Sequence, residues 1–157
     1  GVVLDMSYKK SGETVSVQDV KEVLSALNYT LSYGDIVCIR FGTDQTFGSS
    51  DYWKEHPGLS GEAVKYILDQ GVKVVGVDSP GFDIPFAKTK EKFAQSRDKD
   101  ILWEAHIAGS DYDYSHIEKL ANLDKVPPTG FYICCFPVNV YQASAGWSRV
   151  VAFVPKG

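Results

Sequence analysis

Cysteine is scarce in this chain. There are three in 157 residues, and Cys134 and Cys135 are adjacent, so no disulfide framework can be built from them. No apolar run approaches the roughly 20 residues that a membrane helix requires, and the first ten residues, GVVLDMSYKK, lack the basic-then-apolar layout of a signal peptide. Basic charge is not in excess either: 16 Lys and Arg face 20 Asp and Glu, for a net charge of −4. That balance excludes the clustered basic footprint of a nucleic-acid-binding surface. HExxH, CxxC, a Gly-rich phosphate loop and GxSxG are all missing. The nearest text to the last, Gln142-Ala143-Ser144-Ala145-Gly146, lacks its first glycine. The expectation is a protein of a reducing, cytoplasmic compartment with neither nucleic acid nor membrane as partner. The absence of repeats and linkers predicts one domain over residues 1–157.

What is present reads as mixed α/β. Apolar residues make up 44% and charged residues 23%, ordinary globular usage. Val2-Val3-Leu4 opens the chain as a strand. Ser16, with Asp19 three positions on, starts a helix whose Val20, Val23, Leu24 and Leu27 form one apolar stripe. Ile36 to Phe41 reads as a buried strand. Ser60 to Gly71 reads as a capped helix, and Val72 to Val77 as a second buried strand, together a parallel βαβ unit. Asp78-Ser79-Pro80-Gly81 then lies at the carboxyl edge, where α/β sites lie. Gly42 to Pro57 shows no regular period, and Thr89 to Gln95 suits a short helix. Ile101 to Ile107 alternates as a strand, with Leu102, Glu104 and His106 on one face. A turn or helix is predicted near His116 to Leu120, then strands over 130–138 and 148–154. The count is six strands and two well-marked helices. An apolar edge invites association, so residues 1–4 are expected to be paired or covered, by this chain or another.

Only three histidines are available. His56 and His116 read as solvated loop residues, and His106 shares its face with Glu104. The adjacent Cys134 and Cys135 sit in an apolar strand, where thiols are ordinarily packing; a cysteine nucleophile is the lesser alternative. His106 and Glu118 remain as a fragment of a metal site. A catalytic zinc wants about three protein ligands, and two fall short.

The order of several segments resembles the cyclase family of metal-dependent hydrolases, which includes kynurenine formamidase and isatin hydrolase. They are GVVLDMSYK at 1–9, YGDIVCIRFGTD at 33–44, HPGLSGEA at 56–63, GVKVVGVDSPGFD at 71–83, Glu104-Ala105-His106, HIEKLANL at 116–123 and the ending at 146–154. The resemblance implies a swivelling β/β/α domain. It also implies hydrolysis of aryl formamide or cyclic amide bonds with one or two divalent ions, zinc or manganese. The family's histidine, followed about twelve residues later by glutamate, falls on His106 and Glu118 as metal ligands. Phe41, Phe82 and Trp103 become candidates for an aromatic substrate pocket. The family's HxGTHxDxPxH segment, with its further ligands and proton-shuttling histidine, matches no residue here. The expectation is therefore the C-terminal portion of such a hydrolase, as a homo-oligomer or with a second chain carrying the front ligands. The rival is a non-catalytic binding or scaffold domain of the same family.

Overall fold

A computed structural model describes residues 1–156. In chain order the elements are β1 (Val2–Asp5), β2 (Thr14–Val15), α1 (Val17–Ala26), β3 (Ile36–Arg40), α2 (Asp51–Lys54), β4 (Gly58–Leu59), α3 (Gly61–Asp69), β5 (Val74–Val77), α4 (Phe86–Ser96), α5 (Glu104–Ala108), β6 (Ser115–Ile117), β7 (Tyr132–Pro137) and β8 (Ser148–Phe153). The mixed α/β class expected from the sequence is correct. No helix among the described residues is long and apolar enough to cross a membrane.

The centre is a four-stranded sheet in the order β1-β3-β5-β6, parallel throughout. Its strands are short and apolar because both faces are covered. Val2, Leu4, Val37, Ile39, Val75 and Val77 enter the main core with residues of α1 and α3. Val3 and Cys38 face a smaller cluster with Leu120, Leu123 and Phe131. A Cβ on Gly76 would meet the Leu120 side chain at 2.6 Å, so glycine at that position lets the second layer close on the sheet. Helix α1 starts where its sequence predicts: Ser16 accepts the Asp19 N–H, and Asp19 accepts the Ser16 N–H in return. Ser60 caps α3 through the Ala63 N–H.

The edge strand β1 is covered by its own chain. Gly1 N donates to the Phe131 carbonyl at 2.7 Å, and the Val3 N–H to that of Pro128 at 2.8 Å. No second polypeptide is required there. The antiparallel hairpin β7–β8 forms its own sheet. Ile133 and Val150 turn toward the smaller cluster. By strand alternation Tyr132, Phe136 and Phe153 turn outward, and they are 75%, 59% and 56% exposed.

Two sequence expectations fail. The predicted strand over 101–107 is instead a turn of 3-10 helix (Lys99–Ile101) followed by α5. Trp103 takes a left-handed φ of 54°, which no strand tolerates. Ala105 and Ala108, three apart, are buried against α3, which approaches closely because Gly61 has no side chain to strike the Glu104 carbonyl. Conversely, the predicted turn or helix at 116–120 begins as strand β6. Ser115 to Ile117 pair with Val74 to Gly76, and sheet pairing outweighs the weak local signal. The irregular stretch 42–57 also holds a 3-10 turn (Thr43–Thr46) and α2.

Candidate metal centre

The carboxyl ends of β5 and β6 meet at one corner of the sheet, the edge at which α/β folds gather ligands. His116 pairs in register with Val75 and so shares its face. Glu118 follows just past the strand, with a carboxylate oxygen near the His116 ring nitrogens. Next to them the chain leaves β5 through Asp78 to Ile84, which many bonds pin. The Lys119 N–H donates to the Ser79 carbonyl at 3.1 Å, and the Leu120 N–H to that of Val77 at 2.9 Å. Ser79 Oγ donates to the Gly81 carbonyl at 2.6 Å, and the Leu59 N–H to that of Phe82 at 2.7 Å. Asp78, fully buried, accepts the Phe41 N–H with both oxygens and the Gly42 N–H with one, tying β3 to β5.

The opposite wall is α5, which carries His106. His106 Nδ1 bonds the Asp83 carboxylate, while Nε2 lies 3.4 Å from Glu118 Oε1. The His106 and His116 rings meet edge to face, centroids 5.1 Å apart. His106, His116 and Glu118 each offer one donor atom, and these lie within 4.8 Å of one another. The space beside them stays open because residue 81 is glycine: a Cβ there would reach Glu118 Oε1 at 3.6 Å and His106 Cε1 at 3.9 Å. Phe82 closes the floor, fully buried, with its ring 4.7 Å from that of His116. Lys119, in a left-handed conformation with φ 62°, bonds Glu118 Oε2 at 3.0 Å and the Pro80 carbonyl at 2.9 Å.

The fields in this corner favour a cation. Hydrogen bonds to the Asp83 and then the Glu118 carboxylate raise His106 to about 9, so its imidazole carries a proton at neutral pH. Burial pushes His116 below the usual histidine range and leaves it neutral. Burial would raise Glu118, but the His106 and Lys119 bonds outweigh it and hold the carboxyl at about 2. Two imidazoles and an anionic carboxylate make a mixed nitrogen and oxygen donor set that fits a divalent ion.

His106 and Glu118 thus come together, and the structure places His116 beside them as the third candidate donor that the sequence count lacked. Its signal was the alternation Tyr114, His116, Glu118, hidden by reading the segment as turn or helix. Asp83 and Gly81 carry no signal beyond their place in the resembling segment. Among the aromatic candidates, Phe41 is in the main core, Phe82 forms the floor, and Trp103 is 54% exposed and stacked on Phe86. His56 is not solvated but buried, its Nδ1 2.9 Å from the Pro57 carbonyl oxygen. Burial raises the Cys38 thiol to about 12 and also raises Cys135, the opposite of an activated nucleophile.

The family model described as "Putative cyclase" matches residues 1–84, more than half of the chain. The chain belongs to the cyclase family. Among solved structures, it is similar to an isatin hydrolase bound to the product analogue thioisatinate, at 22% identity and a TM-score of 0.82, covering 99% of this chain and 59% of that one. Isatin hydrolase A from Ralstonia solanacearum matches at 20% identity and a TM-score of 0.79, with the same shares of 99% and 59%. A protein described as a potential metal-dependent hydrolase with cyclase activity matches at 15% identity and a TM-score of 0.69, covering 99% of this chain and 65% of that one. These likenesses show a cyclase-family fold, and the chain spans less than two thirds of each of those structures. A search of curated proteins finds no match.

Proposed function

We propose that this cyclase-family chain carries the metal-holding part of a hydrolase acting on amide C–N bonds of the aryl formamide or cyclic amide type. The observation that carries the reading is the convergence of His106, His116 and Glu118 on the open space beside Gly81. The likeness to isatin hydrolase supports the substrate class. Zinc or manganese suits the donor set, and when bound it supplies Lewis acidity toward a carbonyl oxygen and activation of water. The chain's own groups do the rest. His106 gives up its proton to bind as neutral imidazole, His116 is neutral beforehand, and Glu118 binds as carboxylate. Phe82 excludes water from below, and the exposed Trp103 offers an aryl ring a face on which to stack. Further ligands and the proton-shuttling group would come from a second polypeptide or another part of the same protein. The free cysteines among the described residues support a cytoplasmic setting.

Calorimetric titration with zinc and with manganese tests this reading, followed by absorbance assays with isatin and an N-aryl formamide. One ion per chain, lost in His106→Ala and Glu118→Ala, is the expected result. Failure of wild type to bind either ion overturns the metal reading. Binding without hydrolysis, even when the remaining family segment is supplied, overturns the catalytic reading in favour of a binding domain.

A further inference from the structure

A single carboxylate fixes both the helix that carries His106 and the rotation of its ring. Asp83 Oδ1 accepts the Ala105 N–H at 2.9 Å, and Asp83 Oδ2 bonds His106 Nδ1. The bond to Ala105 fills a place that the sequence of α5 leaves empty, because Trp103 at its N-cap makes no side-chain capping bond. Asp83 is itself anchored: its side chain is only 10% exposed, and the preceding residue is tied to β4 by the Leu59 N–H. With the Nδ1 side of the ring engaged, Nε2 is the nitrogen facing Glu118 and His116.

We infer that Asp83 is the positioning residue of the metal centre, acting by keeping the His106 proton on Nδ1 so that the lone pair of Nε2 points at the ion. This rests on the metal reading above. A carboxylate behind a ligating histidine fixes its tautomer and orientation, and such outer partners are typically worth about 10–100-fold in metal affinity. Asn at this position has the same size but only one accepting oxygen. It can satisfy the Ala105 N–H or the imidazole N–H, not both, and its amide can donate to Nδ1 and favour the wrong tautomer.

The first test uses wild-type protein loaded with zinc. Long-range proton–nitrogen NMR of the imidazoles, with His106 assigned by its loss in His106→Gln, reads which ring nitrogen holds the proton. A protonated Nδ1 and a zinc-bound Nε2 are expected, and the reverse assignment overturns the inference. The second test is zinc affinity of Asp83→Asn by competition with a chromogenic chelator. A fall of about 10–100-fold with far-ultraviolet circular dichroism retained is expected. Unchanged affinity with a lower melting temperature reduces Asp83 to a helix cap and overturns its role. Wild type that binds no zinc overturns the metal reading, and this inference with it.

Discussion

The two walls of the candidate metal centre are built in opposite ways. The strand wall, His116 and Glu118, takes its positions from the backbone: β6, which holds His116, is paired with β5, and β5 with β3, and just past Glu118 the Lys119 and Leu120 N–H groups bond to Ser79 and Val77. The helix wall, His106, stands on a five-residue helix without a side-chain cap of its own, held by Asp83 and by packing against α3. A ligand on a ladder is placed by the fold, whereas one on a short helix is placed by its neighbours. Substitutions outside the donor set should therefore move the helix wall more than the strand wall.

The largest effect should come from removing what both walls rest on. Phe82→Ala, emptying a fully buried site, should cost about 3–5 kcal/mol in chemical denaturation. If the loss is near zero, the floor is not shared. Next, removing single donors should weaken zinc binding by more than about 100-fold in each of His106→Ala, His116→Ala and Glu118→Ala, beyond the loss expected for an outer partner. Calorimetry reads it, and near wild-type affinity in His116→Ala would leave the strand wall with Glu118 alone. Gly81→Ala should be milder, about tenfold in affinity as a bulkier neighbour crowds the ion. Its Cβ would be in ordinary contact with both walls, so the melting temperature should hardly move.

The last effect is a pH dependence at the joint between β3 and β5. Burial raises the Asp78 carboxyl to about 6 from its ordinary 3.8, against the opposing pull of the Phe41 and Gly42 N–H groups. The folded state therefore holds this proton more tightly than the unfolded one. The stabilisation is complete below about 3.8 and is lost as pH rises toward 6. Denaturation curves of wild type and Asp78→Asn between these limits should diverge in slope, and identical slopes would show that Asp78 does not titrate there.

The same contrast explains what could be read beforehand. Val74 to Val77 and Ile36 to Arg40 announce themselves by composition. Helices α1 and α3 do so by Ser16 and Ser60, because caps and apolar stripes are local signals. His116 was hidden because three residues of strand carry too little pattern to compete with the polar loop around them. The 101–107 segment misled because apolar alternation over seven residues also fits a short helix whose Ala108 meets Gly61, far back in the sequence. Asp83 was out of reach for the same reason: its bond to His106 spans 23 positions. The cyclase resemblance singled out His106 and Glu118, which the structure brings together, since a twelve-residue interval survives any misreading of the element between them.

The bond from Gly1 to the Phe131 carbonyl spans 130 residues, and it sets an order of events during synthesis. Of the strands in the central sheet β1 is made before the others, yet its outer edge is protected late, since the segment that shields it, residues 128–131, is made well after β3, β5 and β6. Until then a nascent chain displays Val2, Val3 and Leu4 with unpaired backbone groups along one side, a template for pairing with the wrong strand. Released fragments of this chain ending before about residue 128 should hold chaperones longer than those ending after about residue 140, although β3 and β5 are complete in both.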